Sequence, residues 1–69
     1  MNVDKLNDYE KGFLVSILNR GQCAGPVADR NTLHYFIPEF AIRTIITMKE
    51  QMGEAGKIVA DSIISKIEA

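Results

Sequence analysis

The chain holds one histidine, His34, and one cysteine, Cys23, the side chains best suited to act as base and nucleophile near neutral pH. Brought together in space they could serve covalent catalysis, but their spacing does not enforce that meeting. A buried or incidental thiol is the plainer reading of Cys23. His34 has no second histidine or nearby cysteine with which to share a metal. Gly21 and Gly25 lie in a loop without the Gly-Lys-Ser/Thr ending of a phosphate cradle. Met48 and Met52 sit one helical turn apart, a spacing open to thioether ligation but far more common in core packing. Asp4, Asp8 and Glu10 read as a solvated helix face. No catalytic set, cofactor site or metal site emerges, and the chain is not expected to be an enzyme.

The elements that would position these residues are mostly helical. A first helix is expected over residues 8–19. Asn7 would be its cap, Glu10 the reciprocal partner of a capping box and Gly21 its stop. Tyr9, Phe13, Leu14, Ile17 and Leu18 share one face of it. Residues 21–30 carry two glycines and a proline and read as a loop. Over residues 32–37 polar and apolar side chains alternate, predicting a strand with Leu33, Tyr35 and Ile37 on one side and Thr32, His34 and Phe36 on the other. Pro38 and Glu39 suit the first turn of a second helix, expected to reach Met52 and close at Gly53. Its stripe is Ala41, Ile45, Met48 and Met52, with Ile42 beside it. After a turn at residues 54–56, a third helix over 57–68 turns Val59, Ile63, Ile64 and Ile67 inward.

Composition limits the function classes. The 69 residues are 46% hydrophobic and 25% charged, which suits one folded domain rather than a disordered chain. Oligomerisation is the expected remedy for so small a core. Eight Lys and Arg stand against nine Asp and Glu, a formal charge of −1, so no basic surplus marks a nucleic-acid surface. A single cysteine excludes an internal disulfide and suits a reducing compartment. No signal peptide is visible, and no apolar run approaches the roughly 20 residues that span a bilayer. A cytoplasmic location, with no membrane partner, is expected. A lone strand has no partner within the chain, so its backbone groups call for a second molecule. The expectation is an obligate homodimer whose paired strands form a ribbon of a size to enter the DNA major groove.

Strand, Pro38-Glu39, helix, Gly53, helix resembles the ribbon-helix-helix family of small dimeric repressors and antitoxins of the Arc and methionine-repressor type. The resemblance covers residues 31–69 and leaves residues 1–30 as an added N-terminal helix and loop. It implies a mainly α, ribbon-helix-helix dimer with an extra N-terminal helix, acting as a DNA-binding transcriptional regulator. Thr32, His34 and Phe36 would face the bases of double-stranded DNA. Lys57 would meet a phosphate at the start of the last helix, and Arg30 and Arg43 would add backbone contacts. Leu33, Tyr35, Ile37, Ile45, Met48, Met52, Val59, Ile63 and Ile67 would form the dimer core. A rival reading uses the same apolar pattern without DNA: a helical homo-oligomeric protein-interaction module, an inhibitor or adaptor, with the N-terminal helix open to a protein partner. The even charge balance and the apolar Phe36 favour this rival.

Overall fold

The computed structural model describes residues 3–21 and 28–68. Three α-helices make up most of it: α1 (Asp8–Gly21), α2 (Pro38–Lys49) and α3 (Glu54–Glu68), with a single 3-10 turn, Leu33–Tyr35, ahead of α2. Cys23 and most of the expected loop, residues 22–27, lie outside the described residues.

α1 begins as its sequence requires. The Asn7 side chain accepts a hydrogen bond from the Glu10 backbone N–H at 2.8 Å, and the Glu10 carboxylate accepts one from the Asn7 N–H at 3.1 Å. This reciprocal pair satisfies two backbone donors that no helical turn can reach. The helix then runs on through Gly21, where its backbone passes α2 closely. A Cβ added at Gly21 would stand 2.5 Å from the Thr44 methyl. The glycine that reads as a stop therefore also permits helix–helix contact. Asn19 ties the returning chain to α1, donating to the Ala28 carbonyl at 3.0 Å and accepting from its N–H at 2.7 Å.

The structure departs from the expected strand. Residues 33–35 form the 3-10 turn, and among the described residues there is no strand. The physical reason lies just upstream. The Asp29 carboxylate accepts the N–H groups of Asn31 and Thr32 at 2.7 and 3.0 Å, and the Thr32 hydroxyl accepts the Asp29 N–H at 2.9 Å. Such local side-chain bonds compete with an extended backbone, and the described residues offer no second strand in exchange. Leu33 turns fully inward, whereas Tyr35 and Ile37, expected beside it in a core, are exposed. Phe36 packs against the core edge.

The second boundary also shifts. α2 ends at Lys49, and α3 starts at Glu54 rather than Lys57. Gly53 serves the following helix, its carbonyl accepting the Lys57 N–H at 3.0 Å. Glu54 complements the positive end of α3. Gly56 lies within this helix, and the Met52 side chain crosses it, 3.0 Å from where a Cβ would stand.

α2 packs on both α1 and α3, and these two touch each other. Leu14 and Leu18 from α1, Leu33, Ile45 from α2 and Ile63 from α3 are the large side chains fully enclosed at the centre. Each such side chain contributes about 1.5–3 kcal/mol by leaving water. Ala41 and Ala60 line the inner faces of their helices with little bulk. Residues of both segments, 1–30 and 31–69, meet in this one core. Met48, Met52, Val59, Ile42 and Ile64 flank it, partly buried, and Ile67 closes its lower edge. The Cα radius of gyration, 10.8 Å, matches the ~11 Å of a compact domain of this length. A single copy thus encloses its own centre.

Candidate functional site

α2 carries two faces that would both be apolar enough to bury. The inner one, Ala41, Thr44 and Ile45, is enclosed by α1 and α3. At 100° per residue, Glu39, Ile42, Arg43 and Ile46 fall toward the opposite side, where Ile42 still touches the core edge and the end of α3 comes alongside. These four, with Thr47 and Glu68 from the end of α3, line a shallow depression of about 370 Å³. Ile46 is 55% exposed and Ile37, at the head of the helix, 65%. Phe40 stands half out of the surface on the neighbouring stripe. Scattered exposed apolar residues are ordinary, but exposed Ile37, Phe40 and Ile46 all belong to α2 and its N-cap, a concentration that suits a contact surface.

The charges on this face are open. Arg43 makes no ion pair or side-chain hydrogen bond among the described residues, whereas Arg30 lies 3.9 Å from Asp8, and Lys49 pairs with Asp61 across α2 and α3. Arg20, which the sequence reading passed over, lines a second depression with Arg43, Phe40 and Met48. The Thr47 hydroxyl donates to the Arg43 carbonyl at 2.9 Å, and that of Thr44 to the Phe40 carbonyl at 2.9 Å. Both threonines are therefore occupied locally.

A second polar cluster joins α1 to α3. Glu10 is only 5% exposed. Beyond its capping bond it accepts from the Lys66 ammonium at 2.7 Å and the Ser62 hydroxyl at 2.9 Å. The Lys66 hydrogen bond holds its carboxyl below the ordinary range, against the upward push of burial, with the Asn7 N–H and the Ser62 hydroxyl assisting. Both of its carboxylate oxygens serve the fold. The sequence reading set Glu10 on a solvated face; the capping box signalled its bond to Asn7, but α3 supplied the partners that let it be buried. Tyr9, expected inward, is exposed instead and stacks on Phe13 at 6.3 Å.

The residues expected to read DNA occupy separate places. Thr32 is engaged with Asp29, His34 is exposed with its ring 4.0 Å from that of Tyr35, and Phe36 covers the core. Arg30 precedes the 3-10 turn, Arg43 lies on α2, and Lys57 is exposed in the first turns of α3. The expected dimer-core residues divide likewise. Leu33, Ile45, Ile63 and Ile67 are buried within one chain, Met48, Met52 and Val59 flank that core, and Tyr35 and Ile37 face outward. Among the described residues no group of three or more His, Cys, Asp or Glu side chains converges as a metal site. None of the described helices is long and apolar enough to cross a membrane. No protein-family model, curated protein or solved structure matches the chain.

Proposed function

We propose that this chain is a helical protein-interaction module that docks through the outer face of α2. The observation that carries the reading is exposed Ile46 beside the half-buried Ile42, with the open charge of Arg43, on a helix whose other face is already filled. Tight interfaces join an apolar centre to a polar rim, and this face has both, with Glu39, Thr47 and Glu68 around the isoleucines. Binding requires no catalytic group and leaves the core undisturbed.

The test compares two exposed isoleucines on different helices. Ile46→Asp should abolish retention of proteins, including copies of this chain, on immobilised protein, while Ile58→Asp on α3 should leave it intact. Equal retention by both variants would refute the reading. The DNA-reading alternative requires the 3-10 turn to open into a strand and Thr32 to leave Asp29. Binding to duplex DNA that weakens steeply between about 50 and 200 mM salt would select that alternative.

A further inference from the structure

We infer that the occupant of the outer α2 face is a second copy of this chain, packed antiparallel about a two-fold axis level with Ala41. The inference rests on the docking reading above and adds the identity and orientation of the partner.

The α2 charges on this face, Glu39 and Arg43, are complementary to the same pair reversed. Glu39 and Arg43 lie on one side of the stripe, one helical turn apart. Each is two residues from Ala41, about 3 Å of helix rise in opposite directions. A two-fold axis at that level sets Glu39 of one protomer opposite the partner's Arg43, and repeats the pair on the other side. Isologous contacts of this kind form whenever a patch is its own complement. In this register the two Ile42 side chains approach the axis from either side. Ile46, five residues beyond Ala41, comes level with the partner's Phe36–Ile37 corner, where Ile37 is exposed. The register therefore matches apolar with apolar where it matches acid with base. A parallel arrangement would set Glu39 beside Glu39 and Arg43 beside Arg43.

Long-range electrostatics does not oppose the pairing, because each copy carries a formal charge of only −1. The contact is small. A stable interface takes about 800 Å² from each partner, set against a total surface of 4539 Å² for this chain. A 12-residue helix, about 18 Å long and about 10 Å wide, with its leading corner falls short of that area, so the dimer is weak and reversible.

Sedimentation equilibrium of the full chain from about 5 to 500 µM, a range wide enough for a contact below standard size, tests the geometry through a charge swap. The wild type should pass from monomer to dimer. Glu39→Arg and Arg43→Glu alone should each weaken association about tenfold, because each turns two attractions into repulsions. The double variant Glu39→Arg/Arg43→Glu rebuilds both pairs with reversed polarity and should return to within about threefold of the wild type. Helical circular dichroism of each variant confirms that it is folded. A wild type that stays monomeric throughout, or a double variant as weak as the singles, overturns the self-docking geometry. Neither result touches the contrast between Ile46→Asp and Ile58→Asp, which tests docking on this face whatever the partner is.

Discussion

Neighbouring residues in this chain have opposite duties, and the clearest pair is Ile45 and Ile46. Ile45 is fully buried and Ile46 mostly exposed. Ile45→Ala should cost about 2–5 kcal/mol of folding stability. Ile46→Ala, measured at low micromolar concentration, should stay within about 0.5 kcal/mol of wild type. Equal losses in denaturant titrations would mean that the inner face of α2 has been misassigned. Glu10 offers a second test. Its folded carboxyl binds a proton less readily than the unfolded one, since the Lys66 hydrogen bond outweighs burial. Its contribution is therefore complete above the unfolded value of about 4.3 and disappears as pH falls through the lower folded value. Glu10→Gln should lose about 1–2 kcal/mol at pH 7, and the gap to wild type should narrow steadily as pH falls below the unfolded carboxyl value. A gap that persists unchanged into acid would show that the charge of Glu10 is not what stabilises the α1–α3 contact.

At the scale of elements, helix packing explains residues whose sequence reading has a different emphasis. Gly21 ends α1, but its lack of a side chain matters most where α1 passes Thr44. Gly21→Ala should thus destabilise the protein by about 1–3 kcal/mol, the usual cost of overpacking, whereas Gly53→Ala meets no atom within 4 Å and should be mild. Thermal melts of the two variants would separate these roles, and a harmless Gly21→Ala would refute the close approach. The helices themselves were largely legible. Asn7 and Glu10 marked the start of α1, Pro38 that of α2, and the apolar spacing of Ile63 and Ile67 marked the inner face of α3. The segment 32–37 was not, because alternation at period two reads as a strand unless the local competition of Asp29 with Thr32 is weighed against it. The reciprocal Asp29–Thr32 bonds resemble a capping box in form, and that spacing was the available signal. The start of α3 was misplaced because Gly56 lowers helix propensity in isolation, whereas Gly53 and Glu54 already supply a start to the helix.

For the molecule as a whole, the decisive feature is that one copy already encloses Leu14, Leu18, Leu33, Ile45 and Ile63. Under the proposed docking, the demand for a partner comes from one surface and not from the core. This also limits what the sequence could reveal about the site. The stripe through Ala41, Ile45 and Met48 and the stripe through Ile42 and Ile46 are both apolar, and only the packing of α1 and α3 decides which remains uncovered. Arg43 was singled out for a phosphate, yet the structure sets it among isoleucines and beside Glu39. The measurement that tests the docking face most directly is site-specific photo-crosslinking in the cells that produce the chain, with the reactive group placed at position 46 and, separately, at position 58. Adducts formed from position 46 and absent from position 58 are the expected result. Adducts from position 58 alone would place the interaction surface on α3 and contradict the account.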